Sequence, residues 1–209
     1  MCIRDRFNPT LISVGTNHYF GHKKEGNFEF LQAFCSDNNI ELHTPVMREH
    51  MGSTISSSLI RSLILDGNSS KVYDYLGRFY GFNATVVSGS NRGKKMNYPT
   101  ANFIPTFENQ LLPSTGVYLT KVFLDGESYF GMMNAGIRPT FNEKKFVMEV
   151  HILSDKFGHL YDKNFYIEFL DKIRDEKKFD SKELLIKQIE KDKEVCIELI
   201  DTFKEKYEI

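Results

Sequence analysis

The sequence predicts an α+β protein: a partial α/β segment, then a small antiparallel β-barrel, then one long C-terminal helix. Three observations predict it. Residues 11–76 alternate short apolar runs with stretches at helical spacing, the strand–helix–strand–helix pattern of an α/β layer. After Gly77 the hydrophobic period drops to two, and Gly, Asn and Asp punctuate the runs, as in "LDGES" at 124–128. From Ser181 to Lys206 a single stripe of Leu185, Ile189, Cys196, Leu199, Ile200 and Phe203 recurs at helical spacing.

The elements follow in order. Residues 11–14 are a short apolar run ended by Gly15 and read as a buried strand. Residues 27–37 carry Phe28, Leu31, Ala33 and Phe34 and read as an amphipathic helix. Residues 40–46 read as a second strand, 55–65 as a helix carrying Ile55, Leu59, Ile60, Leu63 and Ile64, and 69–76 as another short helix. Two strands are too few for a complete sheet. In the second half, strands are expected at 80–88, 117–124, 128–134, 147–153 and 165–170, with Val117, Leu119, Lys121 and Phe123 on one face. Five or more antiparallel strands in so short a segment suggest a barrel. Asp180 and Glu183 are placed to form a capping box for the last helix. The boundary is expected near 76–80, giving domains 1–76 and 77–209. The first six residues, "MCIRDR", neither alternate nor cap a helix; they read as a non-native or misassembled start, or more plainly as a frayed terminus, and are left out of the fold reasoning.

Composition narrows the function. The chain has 209 residues, 41% of them apolar, with 18 Phe, 10 Tyr and no Trp, enough for a substantial core. Lys and Arg number 27 against 28 Asp and Glu, which counts against a general nucleic-acid binder but leaves room for a local basic site. Cys2, Cys35 and Cys196 are far apart and no C-x-x-C occurs, so they read as reduced thiols of a cytoplasmic protein. No apolar run approaches the ~18 residues of a membrane span, and there is no secretory signal, so no membrane association is expected.

"GSNRGKKMNYPTANF" at 89–103 is the stretch that carries chemistry. Glycines let backbone N–H groups approach an anion, and Arg92, Lys94 and Lys95 would neutralise it. The familiar phosphate loop needs four residues between its glycines and then Lys-Ser/Thr; here three separate Gly89 from Gly93, and Lys94 precedes Lys95. Tyr98 precedes Pro99 and is biased to an extended conformation. On extended chain Thr100 and Asn102 face the same side, so their oxygens can converge on a hard cation such as Mg²⁺. Glu149 lies between apolar neighbours in "FVMEVHIL"; if its face is internal, it is a carboxylate in an apolar strand.

These stretches, with "GVY" (116–118), "NAGIRPTF" (134–141), "MEVHIL" (148–153), "LYDKNFYIEFLDKIRDEKKFDS" (160–181) and "QIEKD" (188–192), resemble in order the signatures of the riboflavin kinase family, over about Tyr75 to Asp192. The first half resembles the other part of the bacterial bifunctional riboflavin kinase/FMN adenylyltransferase, or FAD synthetase. There "VGTNHYFG" (14–21) is similar to a G-x-[DN]-x-x-F-G stretch, and "ISSSLIR" (55–61) to an Ile-Ser-Ser-Thr-x-Ile-Arg motif, with Ser58 for the threonine. The family's H-x-G-H turn, which grips ATP phosphates, does not occur in these 209 residues; "HYFGH" at 18–22 has an extra residue before its glycine. Asn97 stands where the family usually has glycine; Asn is the residue that best tolerates a left-handed backbone in its place.

The resemblance implies a Rossmann-like nucleotidyltransferase remnant before a riboflavin kinase-like barrel. It implies phosphorylation of riboflavin by ATP to give FMN, with Gly89, Ser90, Arg92, Gly93 and Lys94 at the ATP phosphates, Thr100 and Asn102 on Mg²⁺, and Glu149 as base. Arg138, Arg174 and Glu176 would be flavin-side or loop contacts. Asn17, Ser56, Ser57 and Arg61 would be remnant nucleotide contacts of an adenylyltransferase half that is expected to be inactive. No nucleic acid, membrane or obligate protein partner is inferred. Plainer readings stand beside these. Pro99-Thr100 alone is a strand-start turn, Glu149 alone a half-exposed strand residue, and the Lys94–Lys95 pair a solvated loop. Arg138 alone anchors a turn, Arg174 and Glu176 pair with each other, Ser56 and Ser57 cap a helix, Arg61 is a surface charge, and His151 and His159 are ordinary strand and loop residues. The rival functions are a non-catalytic nucleic-acid- or nucleotide-binding barrel, an idle fragment, and a retained FAD synthetase activity.

Overall fold

The computed structural model describes residues 6–46, 48–89, 93, 98–139, 144–154 and 163–207, with the backbone alone at 138–139 and 144–145. The chain divides into two compact units, Met1–Ile55 and Ser56–Ile209.

In the first unit, β1 (Leu11–Ser13), α1 (Phe28–Asp37) and β2 (Glu41–His43) form a β–α–β run. The two strands pair in parallel, Leu11 opposite Glu41 and Ser13 opposite His43. Asn27 caps α1 by accepting the Phe30 N–H at 2.9 Å. The helix buries Leu31 and Cys35. The expectation of a buried first strand fails: Leu11 is 48% exposed, because a two-stranded sheet has little to cover it. The second strand ends at His43, ahead of Pro45, which has no N–H to donate. A short hairpin, β3 (Glu49–His50) and β4 (Ser53–Thr54), was not foreseen; its tip is Met51–Gly52, both at positive φ.

The second unit begins with α2 (Ser57–Leu65), whose N-terminus is satisfied by Ser56 Oγ accepting from Leu59 N–H at 3.2 Å. Then α3 (Ser69–Leu76) ends at Gly77, where φ is +68° and the glycine N–H closes on the Tyr73 carbonyl. Six strands follow: β5 (Tyr80–Val87), β6 (Ala101–Pro105), β7 (Gly116–Leu124), β8 (Glu127–Pro139), β9 (Lys144–Ile152) and β10 (Asn164–Arg174). They close into an antiparallel barrel in the order β10-β5-β6-β9-β8-β7. The α+β class, the barrel and the long last helix, α4 (Lys182–Tyr207), are as the sequence predicts.

Alternation decides what each strand buries. Phe82, Phe103, Tyr118, Met133, Met148, Val150, Ile167 and Phe169 fill one cluster inside the barrel. Val117, Leu119, Met132 and Leu170 point outward and are buried by Cys196 and Phe203 of α4. Thus β7 is apolar on both faces, as a strand sandwiched between a core and a helix must be. Tyr73, Phe79, Phe203 and Tyr207 join α3 to the end of α4, with Tyr73 and Tyr207 rings 4.4 Å apart. The cap of α4 differs from expectation. Ser181 Oγ accepts the Leu184 N–H at 3.2 Å, so the helix starts one residue later and Glu183 falls on its second turn position rather than the third.

Candidate active site

Register carries the site. On β6 and β9, Asn102 faces Glu149, and on β9 and β8, Glu149 faces Asn134. Directly paired residues share a face, so these three polar side chains form a row across three strands. Their neighbours Phe103, Met148 and Ala135 point into the barrel. The row therefore lies on the outer face, and the conditional reading of Glu149 as an internal carboxylate is corrected: the inward positions on this strand are Met148 and Val150, and Glu149, between them, is half-buried.

Thr100, one residue before β6, joins the row. Its hydroxyl donates to Glu149 Oε2 at 3.0 Å. A hydroxyl that has spent its proton on a carboxylate still offers lone pairs to a cation. Asn102 is only 8% exposed.

The two glycines lie against these two residues. A Cβ on Gly89 would sit 2.0 Å from Asn102 Nδ2, and one on Gly93 would sit 2.3 Å from the Tyr98 carbonyl oxygen and 2.9 Å from Thr100 Oγ1. The Tyr98 N–H closes on the Gly93 carbonyl at 3.0 Å. The glycines are needed here for close approach to Thr100 and Asn102. The donor set is hard oxygen from neutral groups, which suits a cation that takes its other ligands from phosphates. Among the described residues no cluster of three or more His, Cys, Asp or Glu would hold a metal unaided. Ser90, Arg92 and Lys94 lie outside the described residues, as do Lys95, Asn97 and His159. Arg138 is described by its backbone alone, in register with Lys145.

His151, two residues beyond Glu149, is more than an ordinary strand residue. Its Nδ1 lies 2.8 Å from the Pro99 carbonyl oxygen, and its ring packs edge-on to Tyr98 with centroids 5.4 Å apart. Burial pushes the imidazole below its ordinary pKa, against the Pro99 hydrogen bond, and Lys193 of α4 adds to the depression. Burial, then Glu190 and Glu194 of α4, push the Tyr98 phenol up. The signal for His151 was its spacing from Glu149 on the same strand face.

The expected Arg174–Glu176 pair is not formed. Arg174 donates from Nε and Nη2 to the Asp192 carboxylate at 2.8–3.0 Å, and Gln188 Nε2 donates to the same group at 2.8 Å. Asp192 is buried, so the forked guanidinium is drawn inward to α4. Glu176 is exposed beside Gly136, whose Cβ would lie 2.6 Å from Glu176 Oε1. Of the other nucleotide candidates, Ser56 caps α2, Ser57 opens it, and Arg61 is exposed on it. Asn17 is exposed in a turn of the first unit.

The fold and the row together define a closed six-stranded barrel that carries a polar, glycine-lined site on its outer wall. The riboflavin kinase (Flavokinase) family model matches residues 76–200, and the chain belongs to that family. It is 35% identical over 192 residues to the bifunctional riboflavin kinase/FMN adenylyltransferase of Haemophilus influenzae, covering 88% of this chain and 59% of the relative. The enzyme of that name from Pseudomonas fluorescens is 33% identical, over 83% of this chain and 55% of its own length. The chain thus spans well under two thirds of the relatives it matches. A crystal structure of a protein named as a macrolide-efflux protein, from Streptococcus pneumoniae, superposes with a TM-score of 0.80 at 32% identity, over 92% of this chain and 61% of that one. Its name speaks of efflux; among the described residues here no helix is long and apolar enough to cross a membrane.

Proposed function

We propose that this chain phosphorylates riboflavin with ATP, giving FMN and ADP. The observation that carries the proposal is the Thr100–Glu149 hydrogen bond in register with Asn102, with Gly89 and Gly93 packed against Asn102 and Thr100. Membership of the riboflavin kinase family supports it.

In this reading Gly89–Gly93, with Ser90, Arg92 and Lys94, wraps the ATP phosphates. Thr100 and Asn102 would hold Mg²⁺, which when bound neutralises charge on the phosphates. Glu149 accepts the proton of the riboflavin 5′-hydroxyl as that oxygen bonds to the γ-phosphorus and the bond to the β-phosphate oxygen breaks. A primary alcohol is a very weak acid, so the carboxylate acts only as transfer proceeds. Arg138 and Glu176 are assigned to the flavin side, and Arg174 to holding that side through Asp192. The kinase segment is 77–209 and its setting the cytoplasm, with ATP and riboflavin as its partners and neither nucleic acid nor an obligate protein.

Residues 14–61 carry the adenylyltransferase resemblance. Asn17 in the first unit, and Ser56, Ser57 and Arg61 in the second, are the nucleotide candidates of that resemblance; no H-x-G-H turn occurs among the 209 residues, and we assign these residues by themselves no adenylyltransferase activity. One experiment tests both statements: incubation with riboflavin and Mg-ATP, then chromatography of the flavins. FMN alone is expected. Unchanged riboflavin would overturn the kinase reading, and FAD beside FMN would overturn the assignment of the first half.

A further inference from the structure

The Pro99–Thr100 step is a weak point in the wall of the barrel. The β6–β9 ladder begins only at Ala101, opposite Val150. One residue earlier stands Thr100, and before it Pro99, which has no N–H to extend the ladder. Yet Thr100 has to be held to within a fraction of an ångström for its hydroxyl to meet Glu149. The structure supplies a substitute for the missing ladder bond. A carbonyl oxygen can only accept, so the 2.8 Å contact between Pro99 and His151 makes Nδ1 of the imidazole the donor. Tyr98 packs edge-on to the ring and screens it. His151 and Glu149 lie two apart on β9 and so on the same face. One strand therefore presents the partner of the Thr100 hydroxyl and also ties down the peptide just before Thr100.

We propose that His151 is a positioning residue, whose Nδ1–H holds the Pro99 carbonyl and thereby sets Thr100 for cation and nucleotide binding. The proposal rests on the kinase reading for its purpose, though not for the contact itself. Three substitutions separate the donor from the bulk of the ring. His151→Asn keeps a donor at the δ position, His151→Gln moves it one bond further out, and His151→Phe keeps the ring and removes the donor.

Two readouts are taken on folded protein. Hydrogen exchange of peptides covering 98–103, without ligand, reports the tether directly. Calorimetry compares Mg-ADP with ADP in chelator. Exchange is expected about tenfold faster in the Gln and Phe variants than in the parent, with Asn close to the parent. The Kd for Mg-ADP should rise by about tenfold or more in the same two variants, while that for metal-free ADP stays put. If His151→Phe will not fold, the Asn and Gln variants decide between them. Parental exchange in the Gln variant, or an Asn variant as perturbed as the Gln variant, overturns the proposal. A parent that binds ADP equally with and without Mg²⁺ would fail the kinase reading instead, and the exchange data would still decide the His151 tether.

Discussion

Replacing Gly89 by alanine adds one methyl group at the most crowded point of the candidate site. The added Cβ would lie 2.0 Å from Asn102 Nδ2 and 2.5 Å from its Cγ, where ordinary contact begins near 3.4 Å. Something must therefore move by about 1.4 Å to restore a normal non-bonded separation. Asn102 has little room, being paired with Val87 on one side and Glu149 on the other and almost fully buried. Either its amide swings out of the row or the glycine turn lifts away from it. A misplacement of ~1 Å at a reacting centre commonly costs about 10²-fold, and kcat/KM for ATP should fall by that order. The barrel should stay folded at a cost of ~1–3 kcal/mol, the usual penalty of overpacking, because the clash falls on the outer row and not on the inner core. The control is Gly126→Ala in the β7–β8 hairpin, where φ is +84° and nothing lies within 4 Å of the new Cβ. That change should cost ~1–2 kcal/mol of stability and leave turnover alone. Steady-state kinetics and thermal melts of both variants make the comparison. Parental kcat/KM in Gly89→Ala would refute the reasoning that close approach to Asn102 is what this glycine is for.

Glu149→Gln keeps the shape and removes the base, so kcat should drop about 10²-fold with nucleotide affinity little changed; parental kcat under rate-limiting chemistry would remove Glu149 from the mechanism. Asn102→Ala should raise the Mg²⁺ concentration needed for turnover while the barrel stays folded, and an unshifted Mg²⁺ curve would sink the metal assignment. Asp192→Leu strands Arg174, whose side chain is only 15% exposed, and should cost ~3 kcal/mol in urea unfolding; Arg174→Met in the same chain should recover much of it. Burial raises the Glu168 carboxyl pKa, against Lys121 and Arg78, so its ionised form is disfavoured in the folded state. The stability it contributes is present below the ordinary carboxylate range and lost as pH rises through the folded pKa. Glu168→Gln should therefore gain on the parent in melting temperature from pH 4 to pH 7, and a gain that shrinks over that interval would contradict the burial argument.

Local pattern carried much of this fold. The alternation of 117–124, the stripe of the last helix and the i, i+2 placement of Thr100 and Asn102 are properties of short segments, and they survive folding. What escaped is set by distant partners. Glu149 between apolar residues fits an inward strand face as readily as an outward one, until Met148 and Val150 are seen to fill the barrel. Arg174 has an acidic residue two positions away, yet the buried Asp192, 18 residues on, takes its guanidinium. The packing boundary also lies earlier than the change of period. Gly67, between α2 and α3, sits where a Cβ would meet Ser114, Tyr118 and Lys172, so these two helices belong by packing with the barrel. The sequence shows a helical period there, and a period says nothing about which neighbour a helix will find.

The place of the candidate site on the outer wall is consistent with the size of the barrel. Six strands enclose only enough space for their own side chains, and Tyr118, Met133 and Ile167 are each 0% exposed within it. A ligand has no room inside, so chemistry has to use the outward half of the alternation. Along one row that half reads Val87, Asn102, Glu149, Asn134, Val117 and Arg174. Its Val117–Arg174 end is taken by α4, through Cys196, Phe203 and Asp192. Its middle is left polar and lies beside Gly89, which packs on Asn102, and Thr100, on which Gly93 packs. The helix that completes the outer core thus fixes one end of the row in which Asn102 and Glu149 stand.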